Sequence, residues 1–411
     1  MQHSVFGKRL FLKSGLAIGL SCSLTHANAE DEWGKDQDYP IGWGPQGLPQ
    51  RWEAYTAYRV GNYSGGFERM FLHNRIQPPK EPSPLTVKPL EIKYGPFGSK
   101  TPNDYMNSWP ITSLLIARDG KILFESYRMD RTPSMRMTSW SMAKSVTSIL
   151  VGIALDKGLI RSLDDLPGSY VNQLKGTLHG GIPIRYLLNM SSGVDVVHER
   201  DPIRIDVPAL LGYPQRAMNT DVERVVITWA DKLEVPGIRF NYNELCPLTI
   251  GMVLRSATGM SLAEWAQQVL WQPMGAEAMA TWLTDSHGKE YNCVGFAACT
   301  HDWARLGQLI AQNGYMNRQQ VISQQWIDQC SSWGAADQQV SWGKAHRDGG
   351  YKNFFWHPKS DGSWMVMNGH HGQRIAIDRI SRTVMVQTAV GPQGRWNDEF
   401  FEIFKVATRL S

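Results

Sequence analysis

The chain has 411 residues, of which 42% are apolar and 19% charged, with a formal net charge of +4. That length allows one large domain or two ordinary ones with ample core, and the composition excludes global disorder. Three of the positive charges, Lys8, Arg9 and Lys13, lie within the first 29 residues, and removing them takes +4 to +1, which gives no argument for a nucleic-acid partner.

Those three cations precede or enter an apolar run from Leu10 to Leu24, and Ala27-Asn28-Ala29 has the small-x-small form of a cleavage site. Residues 1–29 therefore read as an export signal cut after Ala29, which places the mature protein in the periplasm or outside the cell. The run is too short and too interrupted for a membrane anchor, so none is expected after cleavage. Lys8-Arg9 resembles the start of a twin-arginine signal with lysine in the first place, which leaves the export route open. Cys246, Cys293, Cys299 and Cys330 remain in the mature chain. An oxidising compartment would allow a Cys293–Cys299 disulfide, though the spacing does not fix it. With no Cys-x-x-Cys and no His-Glu-x-x-His, neither a metal site nor a cofactor is expected.

Residues 30–109 are rich in Gly, Pro and aromatics, as in Tyr39–Pro49, and hold no sustained period; they read as an irregular wrap on the body. Ile111–Ala117 and Lys121–Tyr127 flank Asp119-Gly120, a strong hairpin signal. Thr138–Leu155 reads as a helix ended at Gly158, with Thr138 or Ser139 as its cap. Ser141 and Lys144 then share one face, one turn from its start. Leu163–Pro167 marks a turn, and Ile184–Gly193 a short helix stopped by Gly193. The polar segment 198–222 suits a pocket rim, with Glu199–Asp206, Tyr186 and Tyr213 as candidates for it. Helices are expected over Asp221–Leu233, ended by Pro236-Gly237, then over Leu245–Thr258 and Ser261–Leu270. Asp302 heads another at Trp303–Gln312, and Val321–Trp333 gives a weaker one. Arg374–Asp378 and Thr383–Thr388 read as paired strands, and Trp396–Leu410 as a closing amphipathic helix. The class is α/β of the α+β kind. One antiparallel sheet is built from both termini and flanked by helices, in a domain spanning 110–411 with a mostly helical subdomain at about 160–300.

Three separated stretches carry chemistry. Ser141-x-x-Lys144 offers a hydroxyl in the favourable field of a helix N-terminus and an amine one turn away to take its proton. Alone, the spacing is common and weak. Pro236-Gly237 leads to an isolated Tyr242 just before an apolar helix, and Gly369-His370-His371-Gly372-Gln373 leads into a strand near the C-terminus. Adjacent histidines on a strand would face opposite sides, which argues against a metal pair there.

Taken together, Ser139-Trp-Ser141-Met-Ala-Lys144-Ser145, Leu187–Gly193, the Pro-Gly…Tyr242 turn, Thr300–Gly307 and Gly369–Gln373 resemble the serine β-lactamase and penicillin-binding superfamily. The resemblance runs from about Leu114 to Gln387 and is nearest to the branch of 6-aminohexanoate-dimer hydrolases and related esterases. It implies a β-lactamase-like fold and a serine hydrolase. Ser141 would be the nucleophile, Lys144 the general base with its pKa lowered, and Tyr242 the proton relay. The amides of Ser141 and His370 would bind the oxyanion, with Gly369, His371 and Gly372 beside the substrate. His370 is expected to line the pocket. The substrate would be a small amide or ester.

Two departures from that pattern matter. Where the penicillin-binding members carry Ser or Tyr, any residue, then Asn, this chain has Tyr242-Asn243-Glu244. Glu244 could pair with Lys144, pair with a substrate amine, or be a solvated acid at a helix start. Where they carry Lys-Thr-Gly, this chain has Met367-Asn368-Gly369 and lacks the cation for a β-lactam carboxylate. The expectation is therefore amide or ester hydrolysis, with a β-lactamase or peptidoglycan DD-peptidase as the alternative enzyme. A catalytically silent binding protein is the alternative of another class.

Overall fold

The computed structural model describes residues 72–128, 131–196, 221–390 and 396–410. The expected leader with its cut after Ala29, the first part of the wrap at 30–71, Glu199–Asp206 and Tyr213 lie outside the described residues.

The stretch expected to be wholly irregular contributes three elements: strands β1, His73–Ile76, and β2, Thr86–Val87, and helix α1, Pro102–Ser108. The strands are too short to show a period and are held by their partners. The helix has a readable start, because Thr101 and Asp104 form a capping box around Pro102.

Strands β3, Ile111–Arg118, and β4, Lys121–Tyr127, form the expected hairpin. Both of its turn residues are left-handed, Asp119 at φ 48° and Gly120 at φ 74°, as a turn matched to the strand twist demands. Strand β5, Arg136–Thr138, then leads into helix α2, Met142–Asp156. Every residue of α2 from Met142 to Ala154 is buried, so it is a central helix, not a solvated face. Gly158, at φ 70°, closes it.

The helical middle holds α3, Ile184–Leu188; α4, Val222–Thr228; α5, Leu245–Thr258; and α6, Leu262–Ala266, which widens into a π turn over Gln267–Trp271. Helix α3 stops at Asn189, before the expected stop at Gly193. Gly193 instead admits a passing chain, because a Cβ there would sit 2.3 Å from the Glu234 carbonyl oxygen. Strands β6, Ala280–Leu283, and β7, Phe296–Cys299, follow. Then come helix α7, Thr300–Ala311, a small hairpin of β8, Tyr315–Met316, and β9, Gln319–Gln320, and helix α8, Gln324–Cys330. The chain ends through β10, Gly350–Lys352; β11, Phe355–His357; β12, Trp364–Asn368; β13, Arg374–Asp378; β14, Thr383–Ala389; and α9, Trp396–Ala407.

The main sheet has eight strands in the order β10-β11-β12-β13-β14-β3-β4-β2. Inside it, the antiparallel pair β14 and β3 is where the C-terminal part of the chain meets the hairpin. Only β2, parallel to β4, departs from antiparallel order among the described strands. Alternation divides the core. Leu115 and Ala117 of β3 face one way, into the cluster containing α2 and α7, whereas Leu114 and Ile116 face α1 and α9. A second sheet, β1-β6-β7-β5, draws two strands, β6 and β7, from the stretch expected to be mostly helical. Strands β6 and β7 are buried at every position, so they show no alternation to read.

Candidate active site

The helix that carries Ser141 and Lys144 begins in a strained turn. Strand β5 pairs with β7, and the Ser139 amide, just past its end, donates to the Phe296 carbonyl at 2.6 Å. Trp140 follows at φ 47°, a left-handed conformation that a bulky residue adopts only when its surroundings enforce it. Its ring is buried against the rings of His370 and His371, at centroid distances of 5.6 and 5.5 Å. Ser141 itself is the helix-capping residue, and neither Thr138 nor Ser139 caps the helix through its side chain. Thr138 is held in β5, and the Ser139 hydroxyl is bound to the Trp140 carbonyl.

Lys144 sits one turn on, with its side chain 1% exposed. Its Nζ lies 3.0 Å from Ser141 Oγ, 2.9 Å from the Cys293 carbonyl oxygen and 2.6 Å from Glu244 Oε2. Burial works against its charge, but the site, with the Glu244 carboxylate as its charged partner, holds the ammonium above the usual lysine range. This corrects the expected lowering: of the alternatives left open for Glu244, the pair with Lys144 is the one formed, and it favours the charged amine.

Tyr242 comes from the turn before α5. The Asn243 side chain caps that helix by accepting from the Cys246 amide at 3.1 Å. Lys144 Nζ lies 4.9 Å from the centre of the Tyr242 ring, and Ser141 and Lys144 are among the polar side chains that act on its phenol. Burial raises its pKa while Lys144 opposes the rise, so the phenol is neutral near pH 7. The ring stacks on Trp356 at 5.8 Å and meets Tyr351 edge-on at 6.1 Å, with Phe240 closing the group. Trp356 and Tyr351 come from β11 and β10, a stretch without a readable pattern, and sequence reasoning missed them. A cavity of about 360 Å³ adjoins this wall and includes Trp356, Asn368 and Arg374 in its lining.

Residues 369–372 lie beside the nucleophile turn, but not as a strand. His370–Gly372 form a single 3₁₀ turn, and His371 takes φ 56°. The expectation of two histidines on opposite strand faces is therefore corrected: His370 is exposed and His371 is buried, with both rings next to Trp140. Gly369 is required by the protein itself, since a Cβ there would lie 2.1 Å from the Ser139 carbonyl oxygen. Gly372, at φ 90°, faces the Trp396 ring, where a Cβ would lie 2.0 Å from it. Of the proposed rim, Tyr186 packs under Gly237, where a Cβ would be 2.5 Å from its ring. Glu244 faces Lys144 rather than a substrate amine. Cys246, Cys293, Cys299 and Cys330 are buried free thiols, so the Cys293–Cys299 disulfide is not formed; the Cys299 thiol instead donates to Asp302 at 3.2 Å. Among the described residues no single helix is long and apolar enough to cross a membrane.

The Beta-lactamase family model matches residues 106–399. The 6-aminohexanoate-dimer hydrolase of Paenarthrobacter ureafaciens is 22% identical over 285 residues, covering 68% of this chain and 72% of that protein. Among solved structures, a Bacillus anthracis protein provisionally named a 6-aminohexanoate-dimer hydrolase superposes with a TM-score of 0.74 at 20% identity, covering 88% of this chain and 95% of that one. EstCE1, a hydrolase with promiscuous acyltransferase activity, superposes with a TM-score of 0.58 at 15% identity, covering 72% and 94%. At these identities the structural likenesses show the shared fold.

Proposed function

This chain belongs to the Beta-lactamase family, and from that premise we propose that it is a serine hydrolase that cleaves an amide or ester through an acyl-enzyme on Ser141. The observation that carries the reading is the convergence, at the head of α2, of Ser141 Oγ, Lys144 Nζ at 3.0 Å and the phenol of Tyr242. A nucleophile, a base and a relay need such contact to move one proton without charge separation.

In this mechanism Ser141 Oγ attacks the carbonyl carbon as its proton passes to the neutral amine of Lys144. The tetrahedral oxyanion is held by the amides of Ser141 and His370. Tyr242 hands a proton to the departing amine or alkoxide and recovers one from Lys144. Water then attacks the ester carbon, giving its proton back through the same pair and freeing Ser141. No cofactor or metal enters this scheme. The substrate class is a small amide or ester. The name of the Paenarthrobacter relative, an amide hydrolase, supports that class, as does the acyl transfer named for EstCE1. Met367, where the penicillin-binding pattern has lysine, removes the cation that would hold a β-lactam carboxylate and so disfavours that substrate. The basic, apolar leader with Ala27-Asn28-Ala29 supports export to the periplasm or outside the cell.

Turnover of p-nitrophenyl acetate, a short linear amide and nitrocefin by wild type and Lys144→Ala tests the reading. The ester and amide should be hydrolysed and nitrocefin spared, and Lys144→Ala should lose about 100-fold or more in acylation. Rapid nitrocefin hydrolysis would move the assignment to a β-lactamase, and full activity in Lys144→Ala would remove its role as base. Turnover of none of the three would favour a silent binding protein.

A further inference from the structure

Lys144 is held from three sides. Three acceptors, Ser141 Oγ, the Cys293 carbonyl oxygen and Glu244 Oε2, lie within 2.6–3.0 Å of Nζ. An ammonium has three protons to give; Ser141 Oγ and the Cys293 carbonyl accept two of them in hydrogen bonds, and the Glu244 carboxylate sits against the same nitrogen as an ion pair. In that form Lys144 donates to Ser141 and has no lone pair with which to take its proton. Losing one proton reverses only the Ser141 contact, so the same geometry serves an amine that donates to Cys293 and Glu244 and accepts from Ser141. The site is therefore built for both states, and the partner with a full charge decides between them.

We propose that Glu244 is the positioning residue for the base, fixing the Lys144 nitrogen against Ser141 and confining the proton-accepting amine to alkaline pH. The inference rests on the reading of Lys144 as the acceptor of the Ser141 proton. The other titratable groups around the pair come from every neighbouring element: Tyr242 from the turn before α5, Cys246 from α5, Cys293 from the turn before β7, and Tyr351 from β10. Burial raises all four above their ordinary values, which leaves them uncharged near neutrality, with Cys246 pushed up to about 12. The counter-charge to Lys144 is thus Glu244, at 2.6 Å and with its own side chain only 11% exposed. An uncharged side chain at position 244, such as the Asn of the penicillin-binding pattern, would leave Lys144 to burial alone, and burial favours the free amine.

The test is the pH dependence of the single-step phosphonylation of Ser141 in the full chain by a fluorophosphonate, in which the serine oxygen displaces fluoride from phosphorus, from about pH 5 to about pH 10, following the ionisation of the base. Wild type should show a rate that rises on the alkaline side of neutral. Glu244→Gln should move that limb to lower pH by at least about 1 unit, a change of about tenfold in the rate relative to its own plateau at any pH on the limb. Glu244→Asp, which keeps the carboxylate, should keep the limb alkaline. An unmoved limb in a folded Glu244→Gln overturns the proposal. A wild-type limb at or below neutral overturns it too, and needs no variant to fold. Retention of the wild-type rate by Lys144→Ala is a different result and would overturn the underlying assignment of the base.

Discussion

Tyr242 shows how one side chain can carry a structural and a chemical part that are separable. Its ring is fixed by the stack on Trp356 and the edge contact with Tyr351 and lies 4.9 Å from Lys144 Nζ, while its hydroxyl is the group proposed to pass the proton. Tyr242→Phe keeps the packing and removes the relay. We expect kcat for ester hydrolysis to fall by about 100-fold with the thermal midpoint nearly unchanged; an unchanged kcat would remove Tyr242 from the proton path. At this scale the sequence was informative where chemistry imposes a residue type at a fixed spacing. Ser141, Lys144 and Tyr242 could be nominated as candidates before the fold was known, and the structure brings Lys144 against Ser141 and Glu244, one of the few partners weighed for it. The ionisation of Lys144 could not be named, because it depends on a carboxylate one hundred residues away in the chain. Nor could Trp356 and Tyr351, whose strands have only three residues each and no pattern to betray them.

Among the elements, the turn from Thr138 to Ser141 is where packing and chemistry meet. Trp140 is held in a left-handed conformation by β5 on one side and by the 370–371 turn on the other, and Gly369 lies against the Ser139 carbonyl. A methyl group at 369 has backbone, not a flexible side chain, in its way, so the turn must shift to admit it. Gly369→Ala is expected to cost about 1–3 kcal/mol in denaturant unfolding and to slow labelling of Ser141 as well; wild-type stability would contradict this placement. The elements that could be read beforehand are the ones with strong local grammar. The Asp119-Gly120 hairpin, α5 with its Gly259 stop, and the pair β13 and β14 fell where expected. The small sheet was not legible, since β5, β6 and β7 are short, buried and paired with partners far off in sequence.

Across the whole molecule, a cluster of charges joins the two sheets. His301, in the first turn of α7, lies 2.7 Å from Glu125 on β4 and 3.0 Å from Glu277, just before β6. Arg305 reaches both Glu277 and Asp302 at 2.6 Å. Hydrogen bonds to Glu125 and then Glu277 raise the His301 pKa from 6.5 to about 9. A value raised on folding means stability that is complete below about 6.5 and is lost as pH rises through about 9. His301→Gln should therefore be less stable than wild type at pH 6, by on the order of 3 kcal/mol, and the gap should close as pH approaches 10. Thermal midpoints of both proteins across that range check it; a gap constant with pH would mean that His301 acts by shape alone. The overall architecture, a sheet made from both ends of the domain with helices on its faces, was legible because its central strands carry continuous apolar runs. The ionic cluster was not, because each of its members reads locally as an ordinary polar residue.

The central claim is that Ser141 becomes acylated, and intact-mass and peptide mapping after fluorophosphonate treatment test it most directly. The account predicts a single adduct on the peptide carrying Ser141, absent in Ser141→Ala. An unlabelled wild type, or an adduct on another residue that persists in Ser141→Ala, would contradict it.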